Sequence, residues 1–211
     1  MRLSVIISFL FISSLEPLLA QNAYVRLGTQ AYADGNFKMA VKQLEKACLI
    51  DSTNASSFFM LGYSYYHSDN FVKSITAFTK KLAITPADAY AYYYRALAKG
   101  RLGKDVQQSA AERENFLLSA IFDYSKAIEI DDPTDTKISS FYQNRGLTYR
   151  DYGVFKLDPN QHSYDKQRGM RALKAAIDDL AKVLADNPNR ADIASLLDQS
   201  KEKLAGVVGH H

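Results

Sequence analysis

The sequence has no tryptophan, one cysteine (Cys48), four histidines and five prolines in 211 residues. A lone cysteine excludes a disulfide framework and any cysteine-rich zinc site. Two of the four histidines are the terminal His210-His211, so too few ligands remain for a metal cage and no metal is expected. Ten glycines and five prolines are too few for a collagen-like or low-complexity chain. Charge of one sign is scarce too. Twenty-six basic against 23 acidic residues leave +3 with no concentrated basic stripe, so no nucleic-acid partner is expected. No nucleophile constellation, glycine-rich phosphate loop or metal-ligand spacing appears, which points away from an enzyme and from any cofactor. What the chain does have is 47% hydrophobic residues, enough for a buried core, and many rings: 14 Tyr and 11 Phe.

The first twenty residues read as an address. Met1-Arg2 is followed by thirteen uncharged residues, 3–15 (LSVIISFLFISSL), then Glu16-Pro17, Leu18-Leu19-Ala20 and polar Gln21-Asn22. A basic start, a short apolar stretch and a small residue at its end describe a signal peptide, residues 1–20, cleaved near Ala20. The apolar run falls short of the ~20 residues that a membrane-spanning helix needs. The expected product is exported, periplasmic or secreted, with no stable membrane insertion after cleavage. Asn54-Ala55-Ser56 is a glycosylation sequon, meaningful only in a eukaryotic host.

The remainder repeats. Leu27-Gly28, Leu61-Gly62 and Arg95-Ala96 follow one another at intervals of 34 residues, and Arg145-Gly146 is a fourth such pair. Seven residues beyond each pair stand Gly35, Asp69, Gly103 and Gly153, read as turn positions. An aromatic follows at Phe37, Phe71 and Phe155, then a run such as Ala40, Leu44, Ala47 or Ser74, Phe78, Lys81. The runs end at Asp51-Ser52, Thr85-Pro86, Asp131-Asp132-Pro133 and Asn187-Pro188. Apolar spacings of three and four make each half an amphipathic helix, so each unit is helix, turn, helix.

This pattern resembles the tetratricopeptide repeat (TPR) family over nearly all of residues 21–204. Leu27, Gly28, Gly35, Phe37, Ala40, Leu44 and Ala47 carry it in the first unit. Leu61, Gly62, Tyr65, Phe71, Phe78 and Pro86 carry it in the second, and Gly146, Tyr149, Gly153, Phe155, Ala176, Leu180 and Pro188 in the fourth. The expected fold is all-α, a right-handed helical-hairpin solenoid of four TPR-like units. These span 21–54, 55–88, 89–134 and, after a linker 135–138, 139–190. A capping helix at 191–204, with Ile193, Leu196, Leu197 and Leu204 at helical spacing, closes the open end, and 205–211 is a frayed tail.

Two features depart from the pattern. Units three and four are 46 and 52 residues long, with the surplus near 104–115 and 156–173. The periodicity predicts one helix over 105–130 in unit three, about 39 Å long. In unit four Asp158-Pro159 is the expected helix start, and Gly169 the weak spot of the helix that follows. Overlong second helices would project from one edge as a built feature, a self-association surface for a homo-oligomer, unless they are tolerated insertions. Arg95 stands where Leu is expected, Lys99 where an aromatic is and Lys81 where a small residue is. A buried unpaired ammonium costs several kcal/mol, so these chains either reach the edge of the stack or pair.

His67 reads as a surface contact, His162 as a solvated loop residue and Glu112-Arg113-Glu114 as an exposed charge run. In TPR stacks the first helix of each unit lines the inner groove. The expected partner-binding groove is therefore Phe59, Tyr63, Tyr66, His67, Tyr90, Tyr93, Arg101 and Arg150. Tyrosine suits recognition because it offers wide contact with only two rotatable angles, though each such ring could instead pack between units. The family's clamp for an acidic tail is not implied, since its places hold Val25, Thr29, Met60 and Tyr94. The sequence thus points to a non-catalytic scaffold gripping a peptide or partner helix. The alternative is a glycan-binding module using Tyr63, Tyr66, Tyr90 and Tyr93.

Overall fold

Polar residues punctuate the chain and start its helices. Asn36, Asn54, Asn70, Asp88, Ser109 and Asp165 each accept a hydrogen bond from the backbone N–H three residues on, satisfying a donor that the helix leaves open. The computed structural model describes residues 23–132, 137–160 and 163–209. The signal-peptide reading of 1–20, the first half of the 135–138 linker, His162 and His210-His211 lie outside them.

The described residues form helices joined by turns. These are α1 (23–33), α2 (Phe37–Ile50), α3 (Ala55–Tyr66), α4 (Phe71–Ile84), α5 (Ala89–Lys104), α6 (Ala110–Ile130), α7 (Ile138–Lys156), α8 (Lys166–Asp186) and α9 (Ala191–Gly209). They fall into two compact units, 1–86 and 87–211. In the first, Leu44, Cys48, Phe58, Leu61 and Tyr65 are buried together between α2 and α3. Gly28 and Gly62 let paired helices approach: a Cβ would stand 2.7 Å from the Leu44 side chain at one and 2.9 Å from the Phe78 ring at the other. Leu61 is buried, whereas its counterpart Leu27 is 45% exposed, with no described helix packed before it. Cys48 is buried, and desolvation, aided by Asp51, pushes its thiol up to about 12.

The second unit corrects the sequence reading in one consistent way. Gly35 and Asp69 sit in turns with φ of 71° and 57°, as a turn position requires. Gly103 and Gly153 do not; both lie inside helices. The first helix of each hairpin runs on past the expected turn, and its glycine receives the side chain of Leu117 or Leu173. The surplus residues therefore lengthen both arms. The predicted helix over 105–130 begins instead at Ala110, where Ser109 and Glu112 form a reciprocal capping box. Asp158-Pro159 is not a helix start either. Asp158 accepts the Asn160 N–H within a loop that the Asp165 N–H closes onto the Lys156 carbonyl at 2.8 Å, and Asp165 caps α8.

Gly169 is no weak spot. An added Cβ there would stand 2.5 Å from Leu157 and 3.2 Å from the Gly153 carbonyl, so the α7–α8 crossing requires it. Ile193 and Leu197 of α9 pack on Leu180 and Val183, covering the end of α8. The tail expected to fray from 205 is helical to Gly209, one turn beyond the expected end of the capping helix. No Gly-Pro or Asn-Pro breaker interrupts it, and Val207 helps line a cavity with Leu157 and Tyr164.

Candidate functional site

Helical spacing gathers rings on α3. Tyr63 and His67 are four residues apart, with ring centroids 4.2 Å apart. From the preceding hairpin, Tyr32 meets Tyr63 edge-on at 5.2 Å, and Phe37 stacks on His67 at 4.7 Å. Tyr66 closes the group against His67 and Phe71. Phe59 lies apart from them, edge-on to the buried Phe78 at 5.5 Å. Tyr63 and Tyr66 are half-buried and His67 is exposed at the rim.

Burial among the rings lowers the His67 pKa, against a smaller raising effect from Asp69. The folded chain thus takes up this proton at lower pH than the unfolded chain does. Stability is complete above the ordinary histidine value of 6.5 and declines as pH falls from there through the lowered folded value. Unfolding midpoints recorded across that window should show the slope, and His67→Phe should remove it. An unchanged slope in the variant would assign it to another group.

In the second unit Tyr90, Tyr93 and Arg101 share α5, and Arg150 lies on α7. Tyr93 stacks on the buried Phe141 at 4.6 Å, and Asn144 Nδ2 donates to its hydroxyl at 3.0 Å. It is a pinned packing residue as much as a surface one. Tyr90 meets Phe141 edge-on at 5.8 Å, with Lys137 over its ring. Arg101 is exposed near the end of α5. Arg150 Nη2 donates to Gln199 Oε1 at 3.0 Å, reaching α9. Phe59, Tyr63, Tyr66 and His67 thus belong to one unit and Tyr90, Tyr93, Arg101 and Arg150 to the other.

The seam cations pair. Arg95 places Nε and Nη2 on the two oxygens of Asp123, each at 2.8 Å, and Lys99 Nζ reaches the same carboxylate at 2.7 Å. Asp123 is 0% exposed. Burial lowers the Lys99 pKa, and Asp123 offsets part of that. One hairpin later the fork recurs: Arg145 donates Nε and Nη2 to Asp179 at 2.8 Å each, with Ser125 Oγ accepting from Nη1. Both arginines replace the leucine of the Leu-Gly pair, and each finds its acid on the second helix. Lys81 is buried and also partnered.

Of the charge run at 112–114, expected to be exposed, Glu112 is exposed, whereas Arg113 and Glu114 are half-buried. Glu112 completes the Ser109 cap. Arg113 lies over the Phe155 ring, with its guanidinium carbon 5.2 Å from the centroid. Glu114 accepts from the buried Lys156 at 3.2 Å and from the Tyr152 hydroxyl at 3.2 Å. These pairings tie α6 to α7. Their one local signal in the sequence was the Ser109–Glu112 spacing of a capping box.

Among the described residues no group of three or more His, Cys, Asp or Glu could hold a metal, and no helix is long and apolar enough to cross a membrane. No protein-family profile matches the sequence, and no curated protein does. Solved structures do match. The C-terminal part of a TPR repeat-containing protein from Cytophaga hutchinsonii gives a TM-score of 0.58 at 24% identity, over 84% of this chain and 60% of that one. MamA from Desulfovibrio magneticus RS-1 gives 0.55 at 15% identity, over 90% of each chain. A thermophilic TPR protein of Thermus thermophilus gives 0.50 at 17% identity, over 85% of this chain and 98% of that one. At these identities the likeness establishes the fold, and the chain has the all-helical tetratricopeptide-repeat fold.

Proposed function

We propose that the chain is a non-catalytic protein-interaction scaffold of the cell envelope, with two separate ring-bearing faces, one on α3 in the first unit and one on α5 in the second, each able to bind a peptide or partner helix. The observation that carries this reading is that the rings are already held. Tyr63, His67 and Phe37 brace one another, and Tyr93 is fixed by Phe141 and Asn144. A partner meeting such rings gains contact area without ordering them, which removes the side-chain ordering cost of about 0.5–1.5 kcal/mol per ring. The non-catalytic part rests on chemistry: the Cys48 thiol stays protonated, and His67 has rings rather than a nucleophile beside it. The leader-like residues 1–20 support export to the periplasm or the medium. A protein partner suits these faces better than a sugar, because Tyr93 already stacks on Phe141 and so offers less open ring.

Tyr66→Ser combined with Arg101→Glu tests the reading while leaving Tyr63, His67 and Tyr93 themselves in place. Crosslinked capture from envelope fractions should recover a partner with the wild type and lose it with the double variant, at equal helicity and at a temperature where both are folded. Equal capture by both would reject these faces. Saturable heat on titration with cell-wall oligosaccharides would transfer the reading to the glycan module.

A further inference from the structure

The lengthened hairpins of the second unit build a cavity of about 510 Å³. It lies where α5 and α7 end, beside the start of α6 and the loop that leaves α7. Four cations line it, Lys104, Arg113, Arg150 and Lys203, against the two carboxylates of Asp151 and Asp158. Lys104 is matched in place, its Nζ 2.5 Å from Asp151 Oδ2. The two guanidiniums are oriented mainly by uncharged groups. Arg113 donates Nε to the Gly103 carbonyl at 3.3 Å while lying over Phe155. Arg150 donates Nη2 to Gln199 at 3.0 Å, and its Nη1 is 4.0 Å from Asp151 Oδ1. A guanidinium carries five N–H donors, so these contacts aim the groups and leave donors over. Leu117 and Leu157 add apolar wall.

Helix ends explain only part of this charge. Arg113 serves the carbonyl end of α5, but Arg150 lies mid-helix and Lys203 belongs to α9. Fixed, partly desolvated guanidiniums beside apolar surface form a preorganised receptor for an oxyanion. The volume falls within the ~300–1,000 Å³ usual for small-molecule sites.

We propose that this cavity binds a small organic anion. Its phosphate or carboxylate meets Arg113 and Arg150 with Lys203 in support, and its apolar body lies along Leu117 and Leu157. The site goes beyond the interaction faces of α3 and α5, and Arg150 is the one residue it takes from the groove expected of the sequence.

The test titrates the full chain at low salt with phenyl phosphate, phenylacetate and inorganic phosphate, read by calorimetry and backbone amide shifts. An aromatic anion should saturate, moving amides around 103–104, 113–117 and 150–158. Arg150→Gln with Lys203→Gln should weaken it about tenfold or more at unchanged helicity, as expected when charge-assisted bonds are lost. Tighter phenyl phosphate assigns a phosphate ester, and tighter phenylacetate a carboxylate. Absence of saturation by either, or equal affinity in the double variant, overturns the site. Inorganic phosphate binding as tightly as phenyl phosphate overturns the organic part. The uncharged Tyr66→Ser variant, altered in the first unit, should bind the aromatic anion as the wild type does, so the two readings fail separately.

Discussion

Replacing Asp123 with alanine is expected to destabilise the chain by about 3–5 kcal/mol, the cost of leaving buried charge without its counter-charge. The carboxylate is 0% exposed and holds Arg95 through two bonds and Lys99 through a third. The side chains of both cations are only 15% exposed, too enclosed for water to replace the acid in full. The loss should appear as a lower urea midpoint at an unchanged slope. It need not mean that the trio stabilises the fold more than hydrocarbon would. Arg95→Leu, Lys99→Leu and Asp123→Leu together restore an apolar seam, and that triple variant should lie within about 2 kcal/mol of the wild type or above it. A single-variant loss below about 1 kcal/mol would show that the cations reach solvent, against the burial argued from the geometry.

The second large effect is steric. Gly169→Val should cost about 3 kcal/mol, the upper range for forcing extra methyl groups into a packed contact. The new Cβ would stand 2.5 Å from Leu157 Cγ, and behind it is the Gly153 carbonyl at 3.2 Å, which is backbone and cannot rotate away. Gly153 is hemmed in reciprocally, with the Gly169 carbonyl 3.1 Å from its own Cβ position. Gly206 in α9 is the control. Nothing lies within 4 Å of its Cβ position, so Gly206→Ala should stabilise by up to about 1 kcal/mol through helix propensity alone. Thermal midpoints moving in opposite directions would confirm the contrast. A neutral Gly169→Val would show that α7 and α8 separate at little cost.

The hairpins were legible because the reason for each small residue is local. A glycine at 28 or 62 must face a large side chain sixteen residues on, and Leu44 and Phe78 stand there. The insertions were not, because residue type does not separate a turn glycine from a close-packing one. Gly35 and Gly153 occupy equivalent places, yet the first takes positive φ in a turn and the second lies within a helix under Leu173. The ionic forks were half legible. Arg95 and Lys99 broke the pattern and required partners, but Asp123 lies 24 to 28 residues away on another helix, where no spacing rule points to it. Among the ring candidates, Tyr93 shows the limit. Its α5 position was readable, but its attachment to Phe141 and Asn144 depends on a helix that begins more than forty residues later.

The buried Cys48 carries a practical consequence. A thiol held at about 12 is almost wholly uncharged at neutral pH, and only the thiolate reacts quickly with maleimides or disulfides. With no second cysteine in the sequence, a single cysteine installed on an exposed position becomes the only fast-reacting sulfur. Fluorophores or spin labels can then be placed one at a time on the native background, with Cys48 left where it is.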